Sequence, residues 1–157
     1  MLGYARRNRW PVAHSLFVRA GGPMRVSGRM ACPVDGFEPL VREMVFERNT
    51  LSAYGHTAFA DLMQRRTGAI LVVGLGASLT FMATAFDAFE RGHRLIVVAD
   101  ALGGQQGVSA CAEDHEAVAL DVSRVLGFAV ASAGAAREAA ITINARIGEQ
   151  DDERHAE

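Results

Sequence analysis

An α/β fold in three layers, with a mostly parallel sheet and helices on both faces, is predicted from three features of this sequence. Two apolar, β-branched runs, Ala69–Val73 and Arg94–Ala99, each lead into a segment of helical periodicity. Glycines at Gly92 and Gly127 follow those segments where a helix needs a stop. Strand alternating with helix requires crossover connections, and crossovers join parallel neighbours.

The elements follow in order. Met1–Asn8 reads as a short helix ahead of Trp10 and Pro11, and Val12–Val18 reads as a strand. Gly21–Asp35 is rich in Gly and Pro and reads as a loop. Leu40–Phe46 reads as a second strand, with Glu43 out of keeping. Thr57–Arg66 reads as a helix, because Phe59, Leu62 and Met63 share a face, and Gly68 marks its end. The continuous apolar run Ala69–Val73 predicts a strand buried on both faces. A turn at Gly74–Ser78 leads to a helix over Leu79–Arg91, then the strand Arg94–Ala99 and a Gly-rich loop over Asp100–Ala110. A helix over Ala112–Leu126, a short strand at Phe128–Ala131 and a helix over Ala135–Ile147 complete the pattern. The last helix turns Ala136, Ala139, Ala140 and Ile143 inward. Residues 1–148 read as one domain and 149–157 as a charged tail that frays.

The 157 residues suffice for one core. A net charge of −2 provides no broad attraction to nucleic acid or to an anionic membrane. The longest apolar runs are too short to span a bilayer, and no apolar signal-peptide core follows Arg6 and Arg7. The expected location is the cytoplasm, where Cys32 and Cys111 stay as thiols. His14 and His56 sit in no Asp-x-His or His-x-x-x-His spacing, so neither a metal nor another cofactor is expected. Ligands of open parallel sheets bind at the carboxyl ends of strands. Here those ends are the loops after Val18, Phe46, Val73, Ala99 and Ala131.

The stretch ILVVGLGASLTFMATAFDAFERGHRLIVVADAL from Ile70, with HEAVAL from His115, resembles the isochorismatase-like (cysteine hydrolase) family. That family has a buried strand, a Gly-containing turn, Thr-Asp-x-Cys, Thr-Ala-x-Asp-Ala, Gly, a second strand and Asp-Ala, and later His-Glu-Ala. Thr84, Ala85, Asp87, Ala88, Phe89, Gly92, Asp100, Ala101, His115, Glu116 and Ala117 match it, without a gap from Gly74 to Ala101. Ser52-Ala53-Tyr54 with Thr57, and Arg6–His14, match more loosely. The resemblance implies hydrolysis of an amide, carbamoyl or vinyl-ether bond in a small molecule, and it implies self-association.

The departures lie at the reacting groups. In the family's amide-cleaving members a Cys nucleophile sits at a helix amino end, beside a Lys and an Asp base from the first strand. A helix amino end lowers a thiol's pKa and offers N–H groups to an oxyanion. Here Thr80 holds the Cys position, Ser78 the preceding Asp position and Arg48 the Lys position. The first strand and its Asp have no counterpart in these residues. In the resembling fold that strand lies between Val12–Val18 and Ala69–Val73. Either the natural chain begins upstream, or the sheet is rearranged or completed by a partner.

Each candidate has a plainer alternative. Thr80 is a nucleophile position or a first-turn residue with its hydroxyl on backbone. Gly74, Gly76, Ala77, Ser78 and Leu79 form an anion cradle or a tight turn that needs small residues. Arg48 orients a carboxylate or pairs on the surface with Glu47. His14 lines a pocket at a strand end, and by the resemblance Tyr54 belongs to the substrate wall. Cys111 with His115 is a displaced thiol pair or a half-buried helix start. Asp87 and Asp100 read as structural acceptors. Two other function classes stand beside the hydrolase. One is a non-catalytic oligomeric member of the fold. The other is a dinucleotide-binding module using Gly74 and Gly76, with Asp100 as its acidic residue and Leu79 where a third Gly belongs.

Overall fold

A computed structural model describes residues 1–18, 32–66, 68–75, 79–103 and 112–139. Gly76, Ala77, Ser78, Cys111, most of the 21–35 loop, the second half of the last predicted helix and the 149–157 tail lie outside those residues. The element order is α1 (Leu2–Arg7), β1 (Ala13–Phe17), β2 (Met44–Arg48), a 3-10 turn (Ala53–Gly55), α2 (Thr57–Gln64), β3 (Ile70–Leu75), α3 (Leu79–Glu90), β4 (Leu95–Gly103), α4 (Ala112–Val125) and β5 (Ala129–Ala131). Helical backbone resumes over 133–139, denoted α5. The predicted α/β class and parallel pairing are found.

Among the described residues the strands form two parallel sheets, β1-β2 and β3-β4-β5. β1 and β3 are not bonded to each other. The division explains one departure from the sequence reading. The apolar β3 was expected to be buried on both faces, but Ile70, Leu71 and Val72 are half-buried and Val73 is exposed. β4 takes the buried place, with strands on both sides, and Val97 and Val98 are wholly shielded.

Two strand boundaries are corrected. β2 begins at Met44, not Leu40, because residues 40–43 turn and the Glu43 N–H donates to the Leu40 carbonyl at 2.8 Å. It then runs on to Arg48, in register with β1 from Ala13↔Met44 to Phe17↔Arg48. β4 extends through Asp100 to Gly103, where a loop was expected. Leu102 and Gly103 pair with Gly74 and Leu75 across a register shift.

The helix stops are local and were readable. Gly92 and Gly127 adopt φ of 70° and 76°. Behind them, the His93 N–H reaches the Ala88 carbonyl and the Phe128 N–H reaches the Ser123 carbonyl, each at 2.9 Å. These bonds satisfy carbonyls that a helix end otherwise leaves open, and only glycine takes that φ without strain. α5 begins two residues before the predicted start. The Asp100 carboxylate accepts the Ala133 N–H at 2.7 Å, so Asp100 is a structural acceptor that ties β4 to α5.

The main core cluster joins Tyr54, Met63, Phe81, Ala85, Ala88, Leu95, Val97, Leu102, Ala119 and Phe128. Phe59 and Leu62 pack against it beside Met63, which confirms the predicted inner face of α2. α3 and α4, the crossovers on either side of β4, also pack on each other. Small residues at Ala85, Ala88 and Ala119 let helices and sheet approach closely.

Candidate functional site

A cavity of about 440 Å³ opens at the carboxyl ends of β1 and β2. Its walls are Val18, Glu47, Arg48 and Asn49 from the strand ends, and Gly55, His56 and Thr57 from the start of α2. This is the kind of position that the parallel-sheet rule singles out. Of the residues predicted for the site, Arg48 lines it, and Val18 marks one of the strand ends that the sequence singled out; Glu47, Asn49, Gly55, His56 and Thr57 were not assigned to it. The approach of residues 55–57 to the strand ends depends on tertiary packing, and no spacing in the sequence signals it.

Arg48 is held from several sides. Its Nε donates to Ser15 Oγ at 2.7 Å, and its Nη1 donates to the carbonyls of Thr50 and Leu51 at 2.5 and 2.6 Å. The guanidinium carbon lies 5.4 Å from the centre of the Phe17 ring. Partial burial lowers its pKa from the ordinary guanidinium value. Arginine remains charged under such a shift. The side chain is therefore a fixed cationic strut between β1 and the turn after β2, and Glu47 is not its ion-pair partner. His56 stands across the cavity, edge-on to Phe46 at 5.3 Å. Its Nδ1 is buried without a hydrogen-bond partner among the described residues.

The second predicted region is the turn after β3. Gly74 adopts φ 140°, which a side chain would resist. The cradle residues Gly76, Ala77 and Ser78 lie outside the described residues. Leu79 opens α3 and is half exposed. Thr80 is half-buried in the first turn, and its carbonyl accepts the Thr84 hydroxyl at 2.8 Å. The Thr84 oxygen in turn accepts the Ala53 N–H at 3.0 Å. Thr84 thus fastens the Ser52–Tyr54 segment to α3.

Two further predicted residues have structural partners away from the cavity. His14 does not line it: Nε2 lies 2.8 Å from the Glu43 carboxylate, which also takes Arg6 Nε at 2.8 Å. Tyr54 is buried under α3, and its hydroxyl lies 2.6 Å from His93 Nδ1. Arg91 covers its ring at 5.1 Å. Burial pushes the Tyr54 phenol up to about 12. The folded chain therefore holds this proton more tightly than the unfolded chain, whose tyrosine titrates near pH 10. The resulting stability is complete below about pH 10 and is lost as pH rises towards 12. Denaturant melts across the alkaline range should show this slope, and Tyr54→Phe should flatten it while costing about 1 kcal/mol at neutral pH. An unchanged alkaline slope in the variant would contradict the assignment.

Among the described residues no three His, Cys, Asp or Glu side chains come together as a metal site, and no helix is long and apolar enough to cross a membrane.

Comparison with known proteins fits this architecture. The model of the isochorismatase domain matches residues 2–135, and the chain belongs to that hydrolase family. An isochorismatase family protein from Desulfovibrio vulgaris has 24% identity and a TM-score of 0.71, over 89% of this chain and 80% of that one. An N-carbamoylsarcosine amidase from Thermoplasma acidophilum has 23% identity and a TM-score of 0.62, over 83% and 77%. A nicotinamidase from Bacillus subtilis has 17% identity and a TM-score of 0.60, over 83% and 80%. At these identities the likeness to the solved structures is one of fold. No curated protein matches the chain.

Proposed function

We propose that this chain is an impaired member of the hydrolase family, one that keeps the fold and a polar ligand cavity but does not cleave amides by the cysteine route. The observation that carries the reading is residue 80. The first turn of α3 is where the resembling hydrolases bear a thiol, and here it bears a threonine hydroxyl. A thiol ionises readily at a helix amino end, whereas an alkyl hydroxyl needs a strong base to attack a carbonyl. Arg48, at the family's lysine position, supports the same reading, because its Nε and Nη1 are committed to Ser15 and to backbone carbonyls.

The ancestral reaction under this reading is hydrolysis of a small amide, carbamoyl or vinyl-ether compound. Nicotinamide and N-carbamoylsarcosine, after the names of two structural neighbours, are the first substrates to assay. Neither the natural chain nor Thr80→Cys is expected to release ammonia from them above the uncatalysed rate. The single substitution restores the thiol and leaves the lysine position altered. Measurable turnover by Thr80→Cys would overturn the reading. Binding is read separately, by amide chemical-shift changes at Asn49 and at residues 55–57 when either compound is added.

The dinucleotide alternative loses support from β4. Asp100 does not end that strand, and its carboxylate is occupied by the amino end of α5. A cytoplasmic location belongs to the proposed reading and is tested by fractionating cells that carry a tagged chain.

A further inference from the structure

The cavity at the carboxyl ends of β1 and β2 draws positive charge from two independent sources. The first is Arg48. Ser15, Thr50 and Leu51 take up its Nε and Nη1, so the guanidinium is fixed in place. Its Nη2 has no hydrogen bond among the described residues, and no carboxylate there forms an ion pair with Arg48. The second source is the amino end of α2. His56 at its N-cap makes no side-chain capping bond, and the first turn holds no acidic residue. The N–H groups of that turn and the positive end of the helix dipole are left without a side chain to answer them. His56 and Thr57 both line the cavity, so this helix end borders it. The orphaned His56 Nδ1 stands in the same wall.

Building on the reading of an impaired hydrolase that keeps its ligand cavity, we propose that the ligand is a small monocarboxylate, seated between Arg48 Nη2 and the first turn of α2. A fixed cation with an uncommitted nitrogen is preorganised for such a group, and helix amino ends receive anions readily. Two features favour a singly charged, planar group over a phosphate. Arg48 offers one free nitrogen rather than the whole fork that grips a phosphate. Glu47 also lines the cavity, and its carboxylate repels a dianion more than a monoanion. The site lies at the start of α2, whereas Thr80 belongs to α3. Carboxylate binding here therefore needs no competence at position 80.

Titrations read by amide chemical shifts test this with sodium benzoate and with benzamide, its uncharged isostere. Benzoate is expected to move Asn49 and residues 55–57. It should bind at least about tenfold more tightly than benzamide, the effect of one charge-assisted hydrogen bond. His56→Asp puts a carboxylate at the N-cap. Aspartate caps a helix well, so the melting temperature should hold, while benzoate binding weakens at least about tenfold. Glu47→Gln, at an exposed position, should strengthen benzoate by roughly two- to fivefold. This second variant keeps the test decisive if the first does not fold. No shift with benzoate, benzamide binding as tightly, benzoate binding unmoved by both substitutions, or inorganic phosphate binding more tightly than benzoate overturns the proposal. Turnover by Thr80→Cys would overturn the impaired-hydrolase reading and leave benzoate binding untouched, so the two fail separately.

Discussion

Glu43→Ala is expected to lower stability by about 2 kcal/mol, below the scale for a fully buried ion pair because Arg6 stays partly in water. For a chain of this size the melting temperature should fall by roughly 6 °C. The Glu43 side chain is four per cent exposed and joins three parts of the chain. Its Oε1 accepts Arg6 Nε from α1 at 2.8 Å, and its Oε2 takes Arg6 Nη2 at 2.9 Å and the Leu40 N–H at 3.0 Å. His14 Nε2 on β1 lies 2.8 Å from Oε2. Alanine leaves the Arg6 charge and these donors without their acceptor.

The same residue governs behaviour in acid. Hydrogen bonds from Arg6, with smaller contributions from Leu40 and His14, hold the Glu43 carboxyl well below the usual carboxylate range. Its contribution is therefore complete above about pH 4.3, the unfolded value. It is lost as the pH falls below that towards the folded value. Denaturant unfolding of the natural chain should weaken steeply in this range, and the curve for Glu43→Ala should be flatter. If the variant melts within a degree or so of the natural chain at neutral pH, the clamp has no such role.

Gly55→Ala is expected to destabilise the chain by about 1–3 kcal/mol, the range for an overpacked site. A Cβ there meets all of the Thr50 side chain, with Thr50 Cβ at 2.7 Å and Cγ2 at 2.9 Å, and Oγ1 closer still. Thr50 cannot swing aside at no loss. Its hydroxyl donates to the Ser52 carbonyl at 2.9 Å, and its own carbonyl receives Arg48. Gly55, His56, Thr57 and Arg48 all line the cavity, so the same change should distort the ligand site. Adding Thr50→Ala removes the obstacle. The double variant should recover part of the loss, and a double-mutant cycle measures the coupling. A Gly55→Ala protein as stable as the natural one would show that the turn yields freely.

Much of the second half was legible because its signals are local. The apolar runs before Gly74 and after Gly92, the helical spacing on α3, and the glycines after α3 and α4 each act within a few residues. The family resemblance lay in the same stretch, and the match over residues 2–135 bears it out. The first half was harder to read. The turn at residues 40–43 looked like strand because Leu40, Val41 and Phe46 are apolar. In the fold Glu43 ends the turn, since its carboxylate serves Arg6 and His14, residues far away in the chain.

By itself, then, the sequence determined the α/β class, the parallel strands, the helix stops and the threonine at position 80. Each follows from backbone geometry, short-range periodicity or residue identity. Tertiary structure decided that among the described residues β1 and β3 lie in separate sheets, that β4 rather than β3 is the buried strand, and that Asp100 caps α5. It also placed His14 and Tyr54 on structural partners and set residues 55–57 against Arg48 to make the cavity. These outcomes depend on which distant segments meet, and on whether a strand's second edge finds a neighbour. Hydrophobic pattern marks a strand as apolar but does not tell which sides of it will be covered.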